Sequence, residues 1–129
     1  MKTFLACLVL GLAATAPAAG ATSEPADCKT YLVGNWIGGA QTTAGTTRWQ
    51  ASLAATGRFI WVNTAQAAAD PTPVTEQLSG SWTAGTGGAA RTCVLLLSPQ
   101  SGNGWSETLT ITGPDTMTDG RGNPVQRVK

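Results

Sequence analysis

Histidine is absent from the chain, and with it go the commonest general base, the commonest metal ligand and any Ser-His-Asp or Cys-His arrangement for nucleophilic catalysis. Charge is sparse as well: Asp, Glu, Lys and Arg make up 12% of the residues, eight basic against seven acidic. So balanced a chain has no field to steer it toward nucleic acid or an anionic membrane. The few acids fall in turns or near them, which argues against a paired-carboxylate site; Asp115 and Asp119, four apart around a short segment, are better explained by turn hydrogen bonding. Phosphate cradles are missing too. Gly85-Thr86-Gly87-Gly88 and Gly102-Asn103-Gly104 do not open helices and precede no Lys-Ser or Lys-Thr, so they read as β-turns. These absences point to a protein without cofactor, metal or catalytic activity.

Long apolar runs are missing except at the start. A lone Lys2, an apolar stretch from Phe4 to Ala16 and a small-residue end at Ala19-Gly20-Ala21 follow the order of a secretory signal peptide. The stretch is too short to cross a bilayer, and nothing later could do so. The reading is therefore a signal peptide over 1–21 and a single domain over 22–129, delivered to the periplasm or secreted. Leu5-Ala6-Cys7 is not a lipid-attachment site, because its cysteine precedes most of the apolar run.

Of three cysteines, Cys28 and Cys93 remain after cleavage. An even count in an exported chain points to a disulfide; two free thiols or half of a metal set are the alternatives. Closing a loop of about 66 residues stabilises by roughly 4 kcal/mol in the chain-entropy model, a useful clasp for a domain whose core alone is marginal.

Strand signals fill the rest. Leu32-Val33-Gly34-Asn35-Trp36 and Leu78-Ser79-Gly80-Ser81-Trp82 match each other, each placing a tryptophan two residues after a glycine, as in strands where backbone passes close to a neighbour. The first strand is expected over 32–38, followed by a loop over 39–45. Trp49, Ala51 and Leu53 share one face of the next strand, Ala54 to Gly57 turns, and Arg58 to Val62 returns with Phe59 and Trp61 on the face of Trp49. Residues 63–77 read as an excursion between strands, because Asp70-Pro71-Thr72-Pro73 ends any run. Further strands are expected over 78–84, 91–98, 105–112, 116–118 and 125–128. In the 105–112 strand Leu109 and Ile111 face inward and the threonines outward. Arg127 is expected to face outward.

About eight short strands and no long helix favour an all-β antiparallel meander forming a small, closed or incomplete barrel; a two-sheet sandwich is the alternative fold. The aromatics Trp36, Trp49, Phe59, Trp61, Trp82 and Trp105 then either fill the interior or line a ligand site, with Arg58 and Arg91 as candidate rim residues.

Gly34-Asn35-Trp36, the Trp49 to Leu53 strand with Gly57-Arg58-Phe59, Gly80-Ser81-Trp82, and Leu109-Thr110-Ile111 leading to Asp115-Thr116-Met117 and Arg127-Val128 together make the chain resemble small bacterial lipocalin-like domains of the cell envelope. The resemblance covers most of 22–129. It implies a secreted or envelope-attached barrel in which Trp36 packs across one end, with Arg127 the sole candidate for a late arginine covering it. The chain is shorter than a full lipocalin, and its Gly-X-Trp recurs. Some compact exported barrels of this size resemble protease inhibitors that plug an enzyme with their N-terminal segment, here 22–27. The expectation is a non-enzymatic exported binding domain. Its alternatives are a carrier of a small apolar molecule in an interior calyx, or a protein-binding inhibitor of a secreted enzyme.

Overall fold

Residues alternate between two environments along most of the chain, and the strands follow from that alternation. The computed structural model describes residues 27–129; the signal-peptide reading and all of the leader reading but Asp27 fall outside them. In order come helix α1 (Cys28–Leu32) and strands β1 (Gly34–Thr42), β2 (Gly45–Leu53), β3 (Arg58–Ala67), β4 (Asp70–Thr86), β5 (Thr92–Pro99), β6 (Trp105–Ile111), β7 (Thr116–Thr118) and β8 (Pro124–Val128). Each strand pairs antiparallel with the next, and β1 pairs with β8 from Asn35↔Val128 to Gly38↔Val125. The result is a closed eight-stranded antiparallel meander barrel of calycin-like form, not a two-sheet sandwich.

Inward positions carry the core. Trp36, Leu53, Phe59, Trp82, Leu97, Leu109, Met117 and Val125 are buried, and no polar or charged side chain is buried among the described residues. The indoles keep their N–H groups satisfied while buried, as they must: Trp36 Nε1 donates to Leu32 O at 2.8 Å and Trp82 Nε1 to Ala54 O at 2.9 Å. What remains empty in this apolar interior is about 10 Å³.

Helix α1 plugs one end of the barrel. Asp27 caps it, accepting from Lys29 N and Thr30 Oγ1 at 2.9 Å. Leu32 drops into the core, fully buried, and Gly34, with φ 137°, turns the chain into β1. The first strand thus begins at Gly34, not Leu32, because Cys28 to Leu32 is helical. Cys28 is bonded to Cys93 at the start of β5, with 5.8 Å between Cα atoms, so the expected disulfide is present. From the other side Arg127 lies over the Trp36 ring at 4.2 Å. Its Nη1 donates to Val33 O at 2.8 Å, its Nη2 to Tyr31 O at 3.0 Å, and its Nε to Asp115 Oδ1 at 2.8 Å. Arg127 therefore turns in over the barrel end rather than outward, drawn by the carbonyls left free where a five-residue helix stops. Asp115 also departs from expectation: it pairs with Arg127 and Lys129, while only Asp119 closes a turn.

The opposite end is open, and its two halves differ in height. Strands β1 to β4 run 9, 9, 10 and 17 residues, whereas β5 to β8 run 8, 7, 3 and 5. The expected loop at 39–45 and excursion at 63–77 are mostly strand: β1 reaches Thr42, β3 reaches Ala67, and β4 starts at Asp70. The prolines are accommodated because this part of β4 pairs only with β3. Strand β4 passes to β5 at Gly80, where a side chain would meet Pro99 Cα at 2.7 Å. The two Gly-X-Trp motifs hence use glycine differently, one for a left-handed φ and one for close backbone approach.

Candidate functional site

The six aromatic candidates separate by depth. Trp36, Phe59, Trp61 and Trp82 are buried, while Trp49 and Trp105 are half-buried nearer the open end. Trp49 stacks on Trp61 with centroids 4.5 Å apart, and Trp105 meets Trp61 edge-on at 5.4 Å. Together these indoles form a floor that seals the solid interior from the mouth. Trp49 is fixed on its other side by Gly38, directly across the ladder: a side chain at Gly38 would come within 2.6 Å of Trp49 Cε2. Large aromatic and glycine on facing strands fit because one supplies the area the other lacks.

Above this floor lies a cup of about 420 Å³ whose lining includes Thr47, Trp49, Glu107, Asp119, Arg121 and Asn123. Strand alternation puts Glu107 inside, two residues before Leu109 and two after Trp105. Its Oε2 accepts from Trp105 Nε1 at 3.0 Å. Burial raises the Glu107 pKa above its ordinary value, since a charge loses hydration there; the indole hydrogen bond offsets this only in part. Asp119 goes the other way. Burial alone would raise it, but the amides of Asn123 and Arg121 and the Asn123 side chain outweigh that and hold its carboxyl low. A second groove of about 420 Å³ runs outside the barrel over Gly39, between Ile37, Arg48, Pro124 and Gln126.

Arg58 and Arg91 do not ring the mouth. Arg58 begins β3 and is exposed, next to the Gly57 turn that faces Lys29; Arg91 Nε donates to Ile111 O at 2.9 Å at the end of β6. Both stand at the end plugged by α1, where β3 and β5 start. The mouth carries Arg48 and Arg121 instead, with acids at 70, 76, 107 and 119. Sequence reasoning missed Glu107, Arg121 and Asn123 as site residues. Glu107 had a signal, because extending the Leu109 and Ile111 face back by two places it inside; Arg121 and Asn123 sit in a turn, where alternation says nothing.

Among the described residues, no group of three or more Cys, Asp or Glu is placed to hold a metal ion, and no helix is long and apolar enough to cross a membrane. What the mouth offers is hydrogen bonding and charge on a rigid aromatic floor. Compared with protein-family models, curated proteins and solved structures, the chain has no match.

Proposed function

We propose that this is an exported, non-enzymatic binding domain that engages another protein through the open end of its barrel. One observation carries the reading: the apolar interior retains only about 10 Å³, whereas pockets for small ligands are typically ~300–1,000 Å³. A carrier of an apolar molecule needs a calyx where this chain has tryptophan. The leader sequence and the Cys28–Cys93 bridge support export, since such bonds persist in oxidising compartments. Without histidine, the best-placed ionisable group at the mouth is Glu107, and its carboxylate accepts from Trp105 Nε1; the absence of catalysis is part of the proposal. The partner that fits is a polypeptide such as a secreted enzyme that the domain inhibits, or another envelope protein.

A second reading has its own observation. The cup over Trp49, with Glu107 and Arg121 on its wall, has room for a small polar molecule. Native mass spectrometry of the protein purified from its own envelope fraction separates the two. Protein binding predicts no small-molecule adduct and no change in tryptophan emission with an apolar dye such as anilinonaphthalene sulfonate. A retained apolar molecule would overturn the reading, and a retained polar one would move the function into the cup.

A further inference from the structure

Strand β4 has two sides, and one is only half used. Trp82 N donates to Gly57 O at 2.8 Å on the β3 side, while Ser79 O accepts from Gln100 N at 2.8 Å on the β5 side. Alternation then sends the backbone groups of even-numbered residues toward β3 and those of odd-numbered residues toward β5. Pairing with β5 starts only at Gly80↔Pro99, yet pairing with β3 continues without a register shift through Thr64↔Thr75 to Ala65↔Val74. Gln77 and Thr75 therefore direct N–H and C=O groups to a side where, among the described residues, no strand lies. Pro73, next on that side, has no N–H to offer. Residues 74–77 are exposed, Val74 at 69%. Such a row of unpaired backbone groups is a template for one more strand.

We propose that this free edge of β4, over Thr75 to Gln77, docks an extended, basic polypeptide segment that adds to the sheet as a ninth strand. The proposal rests on the reading above that the domain binds another protein. Backbone pairing specifies an extended occupant, and charge specifies a basic one. From Val62 to Ser79 the chain holds Asp70 and Glu76 and no Lys or Arg. Glu76 shares the inward side of β4 with Leu78, and Glu107 faces the same mouth from β6, so alternate side chains of the added strand would point toward carboxylates. A second copy of this chain fits poorly. Antiparallel pairing of two such edges, with Thr75 opposite Gln77, sets Glu76 of one against Glu76 of the other, and like charges facing across a ladder destabilise it.

The test uses the full disulfide-bonded chain and a fluorescein-labelled Val-Lys-Val-Lys-Val-Lys-Val peptide, with its Val-Glu counterpart as control. Thr75→Pro and Gln77→Pro each delete one N–H that no described strand uses, and Thr75→Pro also removes the exposed hydroxyl contact with Thr64, so Gln77→Pro should unfold at the temperature of the parent and Thr75→Pro only slightly below it. We expect each to weaken binding of the lysine peptide about five-fold, and the double variant to abolish it. Glu76→Lys should weaken it too, and bound peptide should slow amide exchange at Thr75 and Gln77. Equal affinity in the double variant, equal affinity for the glutamate peptide, or protection at Trp49 and Glu107 instead would each overturn the edge assignment while leaving protein binding in place. A dimer abolished by the same prolines would overturn the choice of occupant. No binding at millimolar peptide would overturn the proposal as well, whereas a small-molecule adduct in native mass spectrometry would remove the reading beneath it.

Discussion

Replacing Arg127 by alanine should strongly destabilise the plugged end of the barrel. The guanidinium makes two charge-assisted hydrogen bonds to the carbonyls of Val33 and Tyr31 and lies 4.2 Å from the Trp36 ring centroid. Hydrogen bonds involving a charged group contribute roughly 1.5–3 kcal/mol each, and a cation over an indole about 1 kcal/mol. These terms do not add fully: the side chain is 21% exposed, and water entering the gap would rehydrate both carbonyls. A loss of about 3–4 kcal/mol follows, which lowers the melting temperature by about 15 °C for a domain of this size. Urea unfolding of the oxidised protein, followed by tryptophan emission, measures it directly. Arg127→Lys keeps the charge but not the planar fork, and should fall nearer to alanine than to the parent. A loss below about 1 kcal/mol in Arg127→Ala would refute the idea that this residue holds α1 to the barrel.

Gly38→Ala should destabilise by about 1–3 kcal/mol through overpacking, because Trp49, held against Trp61, has nowhere to go; Gly88→Ala, which meets nothing within 4 Å, should stay within about 0.5 kcal/mol of the parent in the same unfolding assay. Glu107 titrates higher folded than unfolded because burial opposes its charge. The folded state therefore binds the extra proton in that window, and the contribution to stability is full below the ordinary glutamate pKa and is lost as pH rises through the folded one. Unfolding midpoints of Glu107→Gln and parent between pH 3 and 7 should diverge accordingly; parallel curves would sink the assignment. Asp119 and Asp115 are held low and act in the opposite sense, so the difference between the two proteins is the quantity to read. Replacing Cys28 and Cys93 together by serine opens a link between residues 65 apart and should cost about 4 kcal/mol, seen as a large fall in the urea midpoint; a fall equivalent to less than about 1 kcal/mol would mean the unfolded chain is already compact.

Much of the barrel was legible because its lower half is a simple interior. Trp49, Ala51 and Leu53 alternate against Phe59 and Trp61, Gly57 turns between them with φ 90°, and the pattern fixed β2, β3 and their register. Legibility failed where strands line water. The upper ends of β1, β3 and β4 carry glycine, alanine, threonine and proline, with no apolar face to bury, so they read as loops although their ladders continue. Helix α1 has five residues, too few for any period to show, and only Asp27 marked its start. Arg127 shares the inward face of β8 with Val125 two residues earlier, so its direction was recoverable by alternation; its charge argued for the outside until the free carbonyls of α1 were known. The mouth follows the same rule: Glu107 was recoverable by counting from Leu109, whereas Arg121 and Asn123 reach the cup only because a turn folds back over it.

The clasp at the plugged end also fixes how the domain is presented. Asp27 caps a helix bonded to β5 and roofed by Arg127, and β8 finishes beside it at Val128, paired with Asn35. The chain thus enters and leaves by the same end, with the mouth and the free edge of β4 at the other. Any tether attached through residue 27 or residue 129 holds the domain like a cup by its base, so a support, a label or a neighbouring domain leaves the upper surface clear. The same geometry divides the molecule for any partner: one seated on the α1 end and one seated on the mouth would meet opposite poles.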